Sequence, residues 1–365
     1  MLRADTSKSS GSRSAPDVIG RVIVLAPSSG LGGGIERYVE ALEWAFAAQG
    51  VQYKRLDLSG PGPVAQARML LQARMLLRDP APTRLVVAHK ALLPVASLIA
   101  RDESVCGMSV VCHGCEVWGG EFRFRRYIES RLLRRRGVRV VATSGFTAGA
   151  ISRLCPATLL PPGLSGEWFQ ALVAGSAVGR TGRPGVHVVT AFRLAVWREK
   201  GLPELMDAVA SLGRSDVRLT VCGTGVPPAD LQEAVRKHPW CTLRPGLTDR
   251  QLAGQFAAAD LFVLATRTRT GRRASGEGFG LVLLEAQVAG TAVVGPAYGG
   301  STDTYINGVT GVAPRDETTS ALAKVLNEML REPQHLEQMG QHAAKWARES
   351  FAPERYAQLA ISRLL

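Results

Sequence analysis

The sequence predicts an α/β protein made of two doubly wound, Rossmann-like domains that face a cleft. Three observations lead to this prediction. The chain has 365 residues, which is about the length of two ordinary domains. Short and almost wholly apolar segments alternate with stretches of helical spacing, which is typical of parallel strands covered by helices on both faces. This alternation is interrupted at residues 171–185, a segment rich in glycine and small residues that has no periodic pattern of apolar side chains. We predict that these residues are the linker.

The first predicted domain covers residues 19–170 and follows a leader at residues 1–18. The leader is polar and rich in serine and lacks the apolar segment of a secretory signal, so we expect it to be disordered. Residues 35–50 place apolar side chains on one helical face and end at Gly50, which predicts a helix. Four apolar runs of this domain predict buried strands, at residues 21–27, 84–89, 109–114 and 138–144.

The second predicted domain covers residues 186–345 and repeats the same alternation of strands and helices. Ligands of doubly wound sheets bind outside the carboxyl ends of the strands. We therefore expect a functional site in the cleft between the two domains. The predicted strands of this domain are four short apolar runs, at residues 186–192, 217–223, 259–265 and 291–295.

The chain is basic, with 44 lysines and arginines against 31 acidic residues and a formal net charge of +13. Such a charge favours anionic partners, which include phosphates, nucleic acids and acidic membrane surfaces. No apolar run approaches the roughly 18 residues of a membrane span, which argues against an integral membrane protein. The six cysteines lack the spacing of a disulfide framework. Cys112 and Cys115 form a C-x-x-C pair without the second pair that a zinc site needs, so we expect reduced thiols.

Two segments have the composition of phosphate-binding loops. Three glycines, Gly32 to Gly34, precede the helix predicted at 35–50, and glycine lets an anion approach the free amides of a helix N-terminus. The alternative is a plain tight turn. Arg193 and Lys200 follow a predicted strand on the loop into the next helix, where two cations suit a diphosphate. The alternative for each cation is a solvent-exposed surface charge.

Two carboxylates lie eight residues apart, Glu277 before the sequence GFG and Glu285 within an apolar helical stretch. This junction could bind a sugar through its hydroxyls, with the second carboxylate on another polyol such as a ribose. The alternatives are a helix cap for Glu277 and a solvated helix position for Glu285. Leu283 and Leu284 make solvation of Glu285 unfavourable. His113 follows another predicted strand, and its alternative role is to cap the next helix.

These motifs occur in order with several others, and the ordered set resembles the retaining nucleotide-sugar glycosyltransferases of GT-B fold in family 4, the glycosyl transferases group 1. The resemblance covers about residues 20–360, nearly the whole chain. The two glutamates with GFG between them are specific to this family, and the ordered set of motifs is much more specific than any one of them. The segments that carry the resemblance are GGGIERYVEAL, CHGCEVW, ATSGFTAGAI, PPGLSGEWF, FRLAVWREKGLPEL, VCGTG, ADLFVLATR, EGFGLVLLE with AQVAG, and GGSTDTYINGVTG.

The resemblance implies that the N-terminal domain binds an acceptor and the C-terminal domain a nucleotide sugar. Residues 346–365 would form a helix that crosses back to the N-terminal domain. Arg193 and Lys200 would hold the donor diphosphate, which Gly33 and Gly34 would approach through their backbone.

The remaining motif residues would bind the sugar and the nucleoside of the donor. Glu285 would bind the ribose, Glu277 the sugar hydroxyls beside the GFG backbone, and the base would lie near the loop at 223–225. His113 would reach the donor sugar. The implied catalytic residues are His113, Glu277, Arg193 and Lys200. The implied donor-binding residues are Gly33, Gly34, Gly223, Gly225, Gly278, Phe279, Gly280 and Glu285.

The activity that the resemblance implies is transfer of a hexosyl group from GDP-mannose or a UDP-hexose to an acceptor hydroxyl, with retention of the anomeric configuration. The sequence has no D-x-D motif, so we expect a reaction without metal or cofactor, in which cations and helix N-termini replace Mg²⁺. The acceptor would be a glycan, a lipid-linked acceptor or a small molecule. The loop at 266–276 is enlarged and holds four arginines, which suggests an anionic acceptor.

Three rival functions are compatible with parts of this sequence. A sugar-phosphate or glycogen-type synthase of the same fold would differ in its acceptor alone. A non-catalytic polyanion-binding protein would use the net charge directly and predicts aromatic residues interleaved with basic ones. Outside the segment at 121–139 the chain lacks that pattern, so we expect no nucleic-acid partner. A dehydrogenase is the third rival, but the glycine loop lacks the G-x-G-x-x-G spacing of dinucleotide sites.

The segment at 121–139 contains eight arginines against two glutamates. Its apolar and basic residues recur at helical spacing, which predicts a helix with an apolar stripe flanked by arginines. The alternatives are a solvated face of a core-packed helix and attachment to an anionic membrane. The second predicts a cytoplasmic protein at the inner face of the cytoplasmic membrane. The spaced residues are Tyr127, Ile128, Arg131, Leu132 and Arg135, and the membrane contacts would be Arg131, Arg134, Arg135 and Arg136.

Overall fold

The computed structural model describes residues 20–27, 33–118, 123–176, 185–269 and 274–365. The predicted leader at 1–18 and most of the predicted linker lie outside these ranges. Two parallel six-stranded sheets with covering helices make up the described chain, which confirms the predicted fold class. We call the parts built around them the first unit and the second unit. Within the described residues, every helix is too short or too polar to cross a membrane.

Six parallel strands form the sheet of the first unit, in the order β2-β1-β3-β4-β5-β6. The strands are β1 (Arg21–Ala26), β2 (Tyr53–Asp57), β3 (Thr83–Val87), β4 (Val105–Cys112), β5 (Val138–Ala142) and β6 (Thr158–Leu159). Side chains of β1 alternate between two apolar layers, with Val22 and Val24 in one and Ile23 and Leu25 in the other. Both faces of this strand are therefore buried, which is why it is apolar throughout.

Six helices follow these strands in the first unit. They are α1 (Gly34–Ala48), α2 (Pro63–Leu76), α3 (Leu93–Ile99), α4 (Cys115–Trp118), α5 (Arg123–Leu133) and α6 (Gly145–Ile151). Leu42 of α1 packs in the layer with Val22. Met69 of α2, Val95 of α3 and Leu133 of α5 pack in the layer with Ile23. Helices α2, α3 and α5 therefore lie together on the face of the sheet opposite to α1.

The second unit repeats this design with the strand order β12-β11-β10-β7-β8-β9, again all parallel. Its strands are β7 (Val186–Arg193), β8 (Val217–Thr224), β9 (Cys241–Pro245), β10 (Leu261–Val263), β11 (Ala292–Val294) and β12 (Gly311–Val312). The described helices that follow α6 are α7 (Gly166–Ser176), α8 (Leu202–Ser211), α9 (Ala229–Arg236), α10 (Asp249–Ala257), α11 (Leu281–Val288), α12 (Thr319–Met329), α13 (Pro333–Ser350) and α14 (Pro353–Leu364).

Helix α7 corrects the predicted boundary between the two domains. The prediction ended the first domain at residue 170 and began the linker at 171, but α7 continues to Ser176. Trp168, Phe169 and Leu172 of α7 are buried in the core of the second unit, where the helix contacts α10 and α11. This segment is rich in small residues and lacks a clear helical pattern of apolar side chains, so the sequence did not predict the helix. Its three large buried side chains anchor it in the core. By packing, α7 belongs to the second unit.

The end of the chain returns to the first unit. Helix α13 packs on α11 and β11 of the second unit, whereas α14 packs on α1. The hydroxyl of Ser109 on β4 donates a hydrogen bond of 2.6 Å to the carbonyl of Leu364. The crossing helix therefore begins at Pro353, while the predicted boundary at 346 falls within α13.

Helix α5 forms within the predicted segment at 121–139 but ends earlier than that segment. Glu129 and Leu133 face the core, whereas Tyr127 and Ile128 are exposed. The Nζ of Lys90 lies 2.6 Å from the carboxylate of Glu129, and both side chains are buried. This ion pair holds α5 against the end of β3, so the predicted apolar stripe faces outward. The helix ends at Leu133, which places Arg134, Arg135 and Arg136 in the turn that follows.

Candidate active site

A cleft of about 260 Å³ lies between the two units. The first unit contributes the start of α1, and the second unit contributes the ends of β7 and β8 and the first turns of α11. This is the edge of the second sheet where its strands end, as expected for a doubly wound unit. Seven of the predicted site residues line the cleft: Gly33, Gly34, Arg193, Lys200, Gly223, Glu277 and Glu285.

The amino end of α1 opens into this cleft. Gly33 precedes the helix with a φ of 108°, which favours glycine, and no side chain caps the helix. A Cβ added to Gly33 or Gly34 would meet no atom of the described residues within 4 Å. Among those residues nothing fills the space beside the two glycines, and the amides at the start of a 15-residue helix can bind an anion there.

Lys200, Thr266 and Glu277 form one polar network in the cleft. The Nζ of Lys200 donates to Oε2 of Glu277 at 2.9 Å, and the hydroxyl of Thr266 donates to the same oxygen at 3.2 Å. The side chain of Glu277 is 14% exposed and that of Lys200 is 25% exposed. The carboxylate is thus fixed in place while the ammonium still reaches the cleft.

Arg193 is the second predicted cation of the cleft, and it is exposed. Within the described residues its side chain has no hydrogen-bond or ion-pair partner, which leaves the guanidinium available to an anion. Together with Lys200 and the start of α1, it gives one end of the cleft a positive charge.

Glu285 lies in the second turn of α11 and is buried. Its Oε1 accepts a hydrogen bond of 3.0 Å from the indole nitrogen of Trp168. Burial raises the pKa of Glu285 above 4.5, while the nearby charge of Arg37 and the bond from Trp168 oppose this shift. With the Trp168 donor already on Oε1, the second carboxyl oxygen of Glu285 remains to accept hydroxyl groups of a ligand.

Replacing Glu285 with Gln should stabilise the fold, and increasingly so as the pH rises. The raised pKa means that the folded state binds the proton more tightly than the unfolded state. The resulting contribution to the free energy of unfolding is complete below pH 4.5 and is lost as the pH rises through the folded-state pKa. Glutamine keeps the acceptor for Trp168 without the buried charge. Thermal unfolding of both proteins between about pH 4 and pH 8 measures this effect, and an equal difference at every pH would contradict it.

Arg37 is a cleft residue that the sequence analysis missed. Its guanidinium lies over the Trp168 ring at 4.6 Å and binds the carboxylate of Asp249 on α10, with one contact of 2.9 Å. Burial disfavours its charge, but the bond to Asp249 and the charge of Glu285 outweigh burial and raise its pKa. Arg37 follows Gly33 by four residues on the same helical face, which is the signal that could have found it. Its pairing with Asp249 links the two units at one end of the cleft.

Glycines form the seam between the units beside the cleft. A Cβ at Gly278 would lie 2.0 Å from the carbonyl oxygen of His113, and one at Gly300 would lie 2.4 Å from the hydroxyl oxygen of Ser144. Next to this contact the amide of Gly145 donates a hydrogen bond of 2.6 Å to Asp303. The units approach this closely because the backbones meet without side chains.

The other predicted site residues lie around the cleft and do not line it. Gly225 is exposed, and its neighbour Thr224 lines the cleft instead. Phe279 is buried in the core of the second unit, and Gly280 precedes α11 with a φ of 83°. The ring of His113 stacks on His89 at 5.7 Å. Its Nε2 lies 2.7 Å from the carbonyl oxygen of Ala88, which accepts the ring N–H.

The cysteines give little support to thiol or metal chemistry. Cys112 is buried and Cys115 is exposed, both are free thiols, and burial raises the pKa of each. A raised pKa disfavours the thiolate that acts as nucleophile or metal ligand. Among the described residues no group of three His, Cys, Asp or Glu side chains is arranged to hold a metal ion.

The architecture is the GT-B fold. Sucrose-phosphate synthase from Thermosynechococcus elongatus superimposes with a TM-score of 0.77 over 94% of this chain and 97% of that chain. The two sequences are 18% identical, so this likeness shows the fold alone.

Sequence comparison relates part of the chain to one family. Residues 189–346 match the family model of the glycosyl transferases group 1. D-inositol 3-phosphate glycosyltransferase 1 of Catenulispora acidiphila is 32% identical over 50% of this chain and 46% of that protein. GDP-mannose-dependent alpha-(1-6)-phosphatidylinositol monomannoside mannosyltransferase of Mycobacterium tuberculosis is 26% identical over 78% of this chain and 75% of that protein. The chain spans about half the length of the first curated relatives it matches. The second unit therefore resembles the glycosyl transferases group 1 family.

Proposed function

We propose that this protein transfers a hexosyl group from a nucleotide diphosphate sugar to an acceptor hydroxyl, with retention of the anomeric configuration. The observation that carries the proposal is the meeting of an open helix N-terminus, two cations and two carboxylates in one cleft between the units. A nucleotide diphosphate sugar has matching groups in its diphosphate, its ribose and its sugar hydroxyls.

The diphosphate lies at the positive end of the cleft, against Arg193, Lys200 and the amides of Gly33 and Gly34. These groups stabilise the charge that develops on the leaving phosphate. The reaction needs no metal in this proposal, because Arg193 and Lys200 take the place of a divalent ion beside the diphosphate. Glu285 accepts the ribose hydroxyls.

The sugar lies beside Glu277, which Lys200 and Thr266 hold in position. The acceptor hydroxyl attacks from the same face as the leaving group through an oxocarbenium-like state, and the departing phosphate oxygen takes its proton. The bond that forms joins the anomeric carbon to the acceptor oxygen, and the bond that breaks joins it to the diphosphate.

GDP-mannose and UDP-hexoses are the proposed donors, and a phosphorylated polyol or a glycolipid is the proposed acceptor class. Support comes from the names of two relatives, of which one uses an inositol phosphate and the other GDP-mannose with a phosphatidylinositol glycolipid. A glycogen-type synthase of the same fold would instead extend a glucan.

A nucleotide-release screen tests the proposal. The purified protein is incubated with GDP-mannose, UDP-glucose, UDP-galactose or UDP-GlcNAc, with and without EDTA, and with inositol phosphate, phosphatidylinositol or a soluble glucan. We expect one donor to release its nucleotide when an acceptor is present, and EDTA should not reduce this release. The NMR coupling constant at the anomeric position of the product should show that the configuration is retained. Heparin binding without release from any donor would favour the polyanion-binding alternative and overturn the proposal.

A further inference from the structure

Helix α2 has a second apolar face that nothing in the described chain covers. Val64, Leu71 and Met75 are between 60% and 65% exposed. At 100° per residue they lie within about 40° of one another. The opposite side of the helix, with Met69 and Ala73, is buried against the sheet. Large aliphatic side chains aligned in a stripe on solvent are uncommon on a soluble surface.

The stripe continues across the neighbouring helices. Helix α3 contacts both α2 and α5, so the three helices form one layer. Leu98 of α3 and Tyr127 and Ile128 of α5 are also exposed. Half of the exposed large hydrophobic residues of the described chain therefore lie on this layer. We call the layer the outer face, and its apolar members are Val64, Leu71, Met75, Leu98, Tyr127 and Ile128.

Arginines surround these apolar side chains. Helix α2 contains no acidic residue. Arg131 of α5 lies over the ring of Tyr127 at 5.1 Å. The exposed acids of the layer are Asp79, Asp102 and Glu103, and Asp79 is paired with Arg21. The exposed arginines on the three helices and the turns that follow them are Arg68, Arg74, Arg78, Arg101, Arg131, Arg134, Arg135 and Arg136.

A groove of about 440 Å³ joins this layer at the ends of α3 and α5, and Arg101, Arg135 and Arg136 line it. The side chain of Arg84 lies behind the groove, where a Cβ at Gly107 would meet its guanidinium at 3.1 Å. Within the described residues, the buried Nε of Arg84 has no hydrogen-bond partner. Among the described residues, three arginines and no acidic side chain thus line the groove, and Arg84 lies next to Gly107 in its wall.

We propose that the outer face is a docking surface for an anionic lipid bilayer, with the α2 stripe in the interfacial region and lipid phosphates in the arginine groove. Apolar side chains flanked by arginines are the pattern of helices that lie in a membrane interface. Charge complementarity selects the bilayer over a second copy of this chain, because a copy would bring the same arginines face to face. The surface assigned from sequence to Arg131, Arg134, Arg135 and Arg136 becomes part of a larger one, centred on α2.

The position of α2 also gives the surface a consequence for the reaction. A helix that follows a strand begins where the strand ends, so Val64 lies at the edge of the first sheet that faces the cleft. Docking through α2 would bring the mouth of the cleft close to lipid headgroups. This last step rests on the proposed function, whereas docking itself does not.

Vesicle sedimentation without donor or acceptor tests the docking. The full chain is mixed with phosphatidylglycerol or phosphatidylcholine vesicles at low and high salt. We expect binding to the anionic vesicles alone, weakened by salt. Arg101→Ser with Arg135→Ser and Arg136→Ser should weaken binding about a hundredfold, since each arginine near such a surface contributes about 1 kcal/mol. The matched control changes Arg236, Arg315 and Arg331, which are exposed arginines of the second unit, to Ser and should bind like the wild type.

A second pair of variants tests the apolar stripe. Val64→Ser with Leu71→Ser and Met75→Ser should remove the part of the binding that survives high salt. Val226→Ser with Ile306→Ser and Val309→Ser changes three exposed apolar residues of the second unit and should leave this binding unchanged. Leu71→Trp adds a readout of insertion, because its fluorescence should shift to the blue with anionic vesicles.

Two outcomes would overturn the proposal. One is the absence of anionic vesicle binding by the wild type at low salt. The other is a wild-type dimer in light scattering that the α2 triple variant converts to a monomer, because the stripe would then cover a second copy. Nucleotide release measured on the same variants with a soluble acceptor separates this proposal from the proposed function. Release should persist in them if only docking is lost.

Discussion

Lys200→Ala should lower kcat by about 10²- to 10³-fold, the cost of losing one group that stabilises developing charge in a transition state. Lys200 reaches the cleft and binds Glu277 at 2.9 Å. The substitution removes a cation from the leaving diphosphate and also leaves the Glu277 carboxylate held by Thr266 alone. Turnover with saturating donor measures the first effect. A smaller change in nucleotide affinity, measured by calorimetry, shows that the loss belongs to the transition state.

Lys237→Ala is the matched control for this variant. Lys237 is 66% exposed at the end of α9, pairs with Glu233 and does not line the cleft. We expect wild-type turnover from it. Lys200→Arg should recover part of the lost activity, because it restores the charge with a different shape. If Lys200→Ala kept near-full turnover, the diphosphate would have to be held by Arg193 and the α1 amides without it.

Gly278→Ala should lower turnover about a hundredfold while both units stay folded. The added methyl group would lie 2.0 Å from the carbonyl oxygen of His113, a distance that no real contact reaches. The backbone of either unit must move by more than 1 Å to admit it, and a displacement of about this size can cost a hundredfold in rate. Steady-state kinetics measures the loss, and circular dichroism checks the fold.

Gly149→Ala provides the comparison. Gly149 lies within α6, where an added Cβ meets no atom within 4 Å, and alanine is the better helix former. This variant should turn over like the wild type with equal or higher thermal stability. If Gly278→Ala turned over like the wild type, the close contact between the two units at Gly278 would not be needed for catalysis.

The central strands could be predicted because burial on both faces leaves an unbroken apolar run. The edge strands could not. Strand β2 pairs only with β1, and its sequence YKRLD carries Lys54, Arg55 and Asp57. Strand β9 pairs only with β8 and is exposed at Arg244 and Pro245. These two strands are less buried than the central ones, and β2 is half-buried at four of its five positions, so neither strand has an unbroken apolar run in the sequence.

The candidate site shows the same division between local and long-range information. Loop glycines, paired cations and the two carboxylates sit in motifs with short spacing, and seven of them line the cleft. Arg37 and Asp249 are 212 positions apart, and Trp168 reaches Glu285 across 117 positions. No short-range pattern encodes such contacts, because the first joins the two units and the second joins α7 to α11 within the second unit, and both arise only in the folded chain. The same holds for α5. The sequence predicts a helix with an apolar stripe there, but it does not predict which way the stripe faces.

The first unit cannot complete its core when its own six strands have been synthesised. Tyr38 and Leu42 of α1 lie in a core that also contains Ala360 and Leu364 of α14, and all four are buried. Domains generally fold from the amino end as translation proceeds. The face of α1 that α14 covers must therefore wait, uncovered, until the ribosome has made the entire second unit. During that interval the nascent chain presents a hydrophobic surface for chaperones to protect, and a stop codon just before Pro353 would leave that surface permanently exposed.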